Sequence, residues 1–114
     1  MIPYEVRKMI YERAIDIYGE ESQILKAIEE MAELTNELAK TYDPSRTTTD
    51  RIVDEIADVT IMMEQLRLIF GVNEEVQDRI DYKVVRLCKR LEERRYDKTD
   101  NPDPATGGNS PSTR

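Results

Sequence analysis

The chain has 114 residues and a formal charge of -7, from 24 acidic and 17 basic side chains, with one cysteine and no histidine. That length suits a single domain near the lower limit for burying a sizeable core alone, which favours a homo-oligomer, a dimer or tetramer. The acidic balance argues against a groove for nucleic acid, the absence of histidine removes the usual zinc site and the histidine-based triads, and a lone Cys88 excludes an intrachain disulfide. Every apolar stretch is broken by charge within a few residues, so neither a signal peptide nor a membrane span is predicted and a cytoplasmic protein is expected.

The pattern along the chain is helical throughout. Pro3 suits the first turn of a helix running to Tyr18, with Ile10, Ala14 and Ile17 on one face and Gly19 as its stop. A second helix is predicted from Glu21 to Lys40, its apolar stripe formed by Ile24, Ile28, Met31, Thr35 and Leu38. The connection from Thr41 to Thr48 contains Asp43-Pro44 and a threonine run, and offers Thr47 as a cap with Asp50 three residues on. A third helix carries Ile52, Ile56, Val59, Met63, Leu66 and Phe70, and ends at Gly71. Asn73 can cap a fourth, with Val76, Ile80, Val84, Leu87 and Leu91 turned inward and Cys88 as core filling. Four helices with short connections predict an all-α antiparallel four-helix bundle over residues 1–96. From Asp97 to Arg114 the composition turns to Pro, Gly, Ser, Thr, Asp and Asn, and a disordered polar tail is expected.

Two acidic clusters carry the chemistry. Residues three apart on a helix share a face, so Glu30 with Glu33 and Glu55 with Asp58 form two carboxylate pairs, each aimed one way. Charge runs on helices are usually solvated surface, but these pairs flank the predicted stripes, where an uncompensated carboxylate is costly. If the two helices are antiparallel, four carboxylates meet, and the hard cation suited to such a cluster is Mg²⁺, with Mn²⁺ as the other choice. Glu29 points about 100° away from Glu30. Gln23 lies seven residues before Glu30, on the same face, where its amide can contact a ligand or equally be an uncommitted polar residue near the helix start.

The order Glu29-Glu30-x-x-Glu33, a loop, then Glu55-x-x-Asp58 resembles the signature of the MazG-type all-α nucleoside triphosphate pyrophosphohydrolases. Ala27 to Leu34 and Asp54 to Val59 are similar to the two central helices of that family, and Tyr82-Lys83-x-x-Arg86-Leu87 to its last. The likeness spans about residues 5 to 95 and is nearest to the short single-domain members of bacteria and phages. One departure is Val84, where many members have asparagine after the lysine.

The resemblance implies Mg²⁺-dependent hydrolysis of a nucleoside or deoxynucleoside triphosphate between the α and β phosphates, giving the monophosphate and pyrophosphate, in nucleotide-pool housecleaning. It implies Glu30, Glu33, Glu55 and Asp58 as metal ligands and Glu29 as a further catalytic carboxylate. Lys83 and Arg86 are the implied phosphate contacts, with Lys40 a third candidate. Phosphoryl transfer is mainly positioning and charge neutralisation, so a chain without histidine can perform it. Two other classes fit the composition: a noncatalytic helical oligomerisation module, and an acidic protein that binds a basic partner.

Overall fold

The computed structural model describes residues 1–43, 45 and 49–100, with side chains as far as residue 95. Among these are four α-helices and no strand: α1 (Tyr4–Tyr18), α2 (Glu20–Lys40), α3 (Thr49–Ile69) and α4 (Asn73–Asp100). Local chemistry sets their ends. The Pro3 carbonyl accepts the first amides of α1, from Val6 and Arg7, both at 3.1 Å. Gly19 alone separates α1 from α2 at φ 93°, a conformation that a side chain would strain, and its amide returns to the Ile15 carbonyl at 2.8 Å. At the end of α3, Gly71 at φ 64° donates to Leu68 and Val72 donates to Arg67, which together close a Schellman motif. Asn73 opens α4, and its side-chain oxygen accepts from Arg67. The predicted Thr47 cap and the tail beyond residue 100 lie outside the described residues, while α4 continues past Tyr96 to Asp100.

The chain divides into two compact units, Met1–Asn73 and Glu74–Arg114. In the first, α2 and α3 form the main pairing and α1 lies against both. Arg7 grips Glu64 with two hydrogen bonds, at 3.1 and 3.2 Å, and Tyr11 donates its hydroxyl to the same carboxylate. Burial pushes the Glu64 carboxyl up, but the hydrogen bonds from Arg7 and Tyr11 outweigh it and hold the group below its ordinary range.

The buried row of α2 differs from the predicted stripe. Gln23, Ala27, Glu30 and Glu37 are buried, and Leu34 is half-buried, while Ile28, Met31 and Leu38 are exposed. The seam therefore runs one residue, or about 100° of rotation, away from the apolar row. Ala27, only 1% exposed, is the most buried residue of this row, and its small side chain lets the helices approach closely there. Similar corrections apply elsewhere. In α1, Tyr11 faces inward while Ile10 and Ile17 are exposed; in α3, Ile52, Val59, Met63 and Leu66 of the predicted row are half-buried, but Met62 and Gln65 are buried deeper while Ile56 and Phe70 are exposed. On α4, Ile80, Val84, Leu87, Cys88 and Leu91 are exposed rather than core, Val76 being half-buried. Only Tyr11, Ala27 and Met62 are buried apolar residues among those described. No described helix is long and apolar enough to cross a membrane.

Candidate metal centre and its cleft

Three polar rungs cross the seam between α2 and α3. Gln23 Nε2 donates to Gln65 Oε1 at 2.7 Å. Carboxylate oxygens of Glu30, Glu55 and Asp58 lie within 4.8 Å of one another. Arg51 Nη1 reaches Glu37 Oε2 at 3.4 Å, and Lys40 Nζ reaches the same oxygen at 3.0 Å. Positions rise by seven along α2, through 23, 30 and 37, as they fall by seven along α3, through 65, 58 and 51. The helices are thus antiparallel in a heptad register, and successive rungs are about 10.5 Å apart along the axis.

The middle rung is electrostatically unfinished. Glu30 Oε1 and Glu55 Oε2 are buried without a hydrogen-bond partner. An ionised carboxylate left so is costly unless a cation joins it. Lys26 supplies partial compensation from one side, 3.3 Å from Glu30 and 3.7 Å from Glu29. Mg²⁺ holds oxygens at about 2.1 Å, placing neighbouring ligands roughly 3 Å apart and opposed ones roughly 4.2 Å, so the three carboxylates would have to draw together around it. The all-oxygen donor set and the two orphaned atoms fit that ion.

Burial, followed by the negative charges of Glu33, Asp58, Glu30 and Glu37, holds the Glu55 carboxyl above its ordinary range. A folded pKa above the unfolded one means that ionised Glu55 opposes folding at any pH above the folded value. That opposition fades as pH falls through the folded value toward the unfolded one. Metal-free Glu55→Gln protein is therefore expected to melt higher than the unmutated chain at neutral pH, with the gap closing on acidification. Thermal melts in chelator across that range check it; a gap that widens toward acid would contradict the reading.

The predicted site residues fall in several places. Glu30, Glu55 and Asp58 converge, buried, half-buried and exposed in that order. Glu33 is exposed and outside this group of three, yet its charge is the largest electrostatic contribution to the Glu55 shift. Glu29 is exposed and lines the cleft beside Lys26. Gln23 is buried on the neighbouring rung, and Lys40 is half-buried and engaged by Glu37. Lys83 and Arg86 are exposed on α4, in the other compact unit. Sequence reasoning missed Lys26, Glu37, Arg51 and Gln65. The signal for Gln65 is its place seven residues after Asp58, mirroring Gln23 seven before Glu30.

An open cleft of about 840 Å³ runs beside the first two rungs, lined by Gln23 and Gln65 at one end and by Glu29, Glu30 and Asp58 at the other, with Tyr18 and Lys26 on its walls. Its volume lies within the range of small-ligand sites. No protein-family model matches the chain, and neither a curated protein nor a solved structure matches it.

Proposed function

We propose that this protein is a Mg²⁺- or Mn²⁺-dependent nucleoside triphosphate pyrophosphohydrolase of the MazG type. The observation that carries the proposal is the convergence of Glu30, Glu55 and Asp58 from two helices, with two buried oxygens unpaired, at one end of a ligand-sized cleft. The bound cation would neutralise phosphate charge and make a water nucleophilic near neutral pH. Glu30, Glu55 and Asp58 would hold it, and Glu33 is the fourth carboxylate implied by the resemblance. Glu29 stands in the cleft wall where it could accept a proton from the attacking water, and Lys26, now between Glu29 and Glu30, would be free to turn to a phosphate oxygen if a cation were held there. Lys83 and Arg86 are the further phosphate contacts that the resemblance implies.

A homo-oligomer, dimer or tetramer, belongs to the same proposal. Ile28, Met31, Leu38 and Ile56 in the first unit, and Ile80, Val84, Leu87 and Leu91 on α4, are exposed, and such surface is covered most economically by helices of a bundle or of a second copy. The same exposed faces are what favours the other reading, a noncatalytic oligomerisation module. Assay of purified protein with a panel of triphosphates separates the two. The expected result is pyrophosphate and monophosphate formed only with Mg²⁺ or Mn²⁺, by a species that light scattering sizes above a monomer. Orthophosphate as first product, or full activity in excess chelator, would overturn the hydrolase assignment.

A further inference from the structure

The seam's first rung has no role in holding a cation, yet it places two amides in the cleft. Gln23 is 8% exposed and Gln65 5%, so both are more than nine-tenths buried. Each primary amide carries two N–H donors and a carbonyl acceptor. Between them they make one strong hydrogen bond, from Gln23 Nε2 to Gln65 Oε1, and one weak contact, from Gln65 Nε2 to Met62 Sδ at 4.0 Å. Gln23 Oε1 receives no hydrogen bond from the described residues, and one N–H of each amide remains over. Gln23 Oε1 is not sealed from solvent, unlike the orphaned carboxylate oxygens of the seam, and so is open to the cleft. Two such amides lining an open cleft are arranged for a ligand rather than for packing.

We infer that the Gln23–Gln65 pair reads the hydrogen-bonding edge of a nucleobase, and that Gln65 is the residue that determines which base is preferred. The inference rests on the nucleotide reading of the cleft. Gln23 precedes Glu30 by seven residues and Gln65 follows Asp58 by seven, so the amide rung stands about 10.5 Å along the seam from the candidate metal centre. A sugar and part of a base ring fill such an interval between a reacting α-phosphate and a base edge. The free acceptor on Gln23 and the free donor on Gln65 match an edge that sets a donor beside an acceptor, a feature of every nucleobase. The mutual hydrogen bond couples the directions of the two amides, so a change at Gln65 alters what Gln23 presents to the cleft. Turning the two amides over together keeps their mutual hydrogen bond and exchanges donor for acceptor, and the Met62 sulfur is the one neighbour that favours the present sense.

Two variants of the full chain test this, Gln65→Leu, which removes the polar group at similar volume, and Gln65→Glu, which keeps an acceptor for Gln23 but has no N–H. Two readouts are needed, kcat and KM for four triphosphates differing only in base, and binding of the four corresponding nucleosides without metal, by NMR. The expected result is a change of at least about tenfold in the ratio of kcat/KM between bases, carried by KM, with the same reordering in nucleoside binding. The Mg²⁺-induced rise in melting temperature should be unchanged. If Gln65→Leu does not fold, Gln65→Glu decides the matter alone. An equal loss for all four bases, or an unaltered ranking, would reduce the pair to a structural rung and overturn the inference. Nucleoside binding that depends on Gln65 in a protein that releases no pyrophosphate would uphold the base site and remove the hydrolase reading instead.

Discussion

Asp58→Asn is expected to abolish metal-dependent turnover while leaving the metal-free fold as stable as before, or more so. Asp58 is one of three carboxylates that meet at the middle rung of the seam, and it is the exposed one, so its side chain supports little packing. Without a cation its charge adds to the repulsion that holds Glu55 above its ordinary range. Replacing the carboxylate by an amide relieves that repulsion and weakens a ligand to a hard cation in one step. Loss of a preorganised electrostatic contact at a reacting phosphate costs about 3 to 4 kcal/mol, or roughly 10²- to 10³-fold in turnover. Pyrophosphate release measures the first effect. Thermal melts with and without Mg²⁺ measure the second, and the metal-induced rise should disappear, since a cation that no longer binds stabilises nothing by mass action. A variant that melts several degrees lower in chelator while retaining turnover would make Asp58 part of the scaffold. Glu33→Gln in the same assays decides whether the fourth carboxylate implied by the resemblance joins the three that converge.

The second large effect is on the seam itself. Ala27→Leu is expected to destabilise the protein by about 1 to 3 kcal/mol and to suppress activity along with it. Ala27 is 1% exposed and lies between the Gln23 and Glu30 rungs. A branched side chain there has nowhere to go without moving α2 away from α3. The described residues bury only two other apolar side chains, Tyr11 and Met62, so such a loss is a large fraction of the total stability. Both rungs beside it would widen together, and the carboxylates, already at up to 4.8 Å, would move further from the spacing that a small cation needs. Urea unfolding reports the stability, and the Mg²⁺-induced shift in melting temperature reports the site. Unchanged values in both would mean that the helices do not close on Ala27.

The helices were legible from sequence because their signals are local. Pro3, Gly19 and Gly71 act through the backbone of a few neighbouring residues, and α1 and α2 begin or end within a residue of the positions their chemistry predicts. The carboxylate pairs were legible for the same reason, since Glu30 with Glu33 and Glu55 with Asp58 are related by helical geometry alone. The exposure of Glu33, apart from Glu30, Glu55 and Asp58, was not, because it depends on how one helix is turned against another.

Hydropathy picks the row of Ile24, Ile28, Met31, Thr35 and Leu38 as the inner face of α2, yet the row of Gln23, Ala27, Glu30, Leu34 and Glu37 meets α3. Periodicity measures one helix at a time. The pairing instead depends on what both helices offer at once: a small residue where the backbones approach, an amide opposite an amide at Gln23 and Gln65, and an arginine opposite Glu37. By itself the sequence determined an all-helical chain, the ends of its helices and the carboxylates that could share a cation. The tertiary structure alone decided which face of each helix is inside, and so joined Gln65 to Gln23 and left Glu33 exposed while Glu30 is buried, because a rotation of about 100° per residue turns a one-position choice into a different surface.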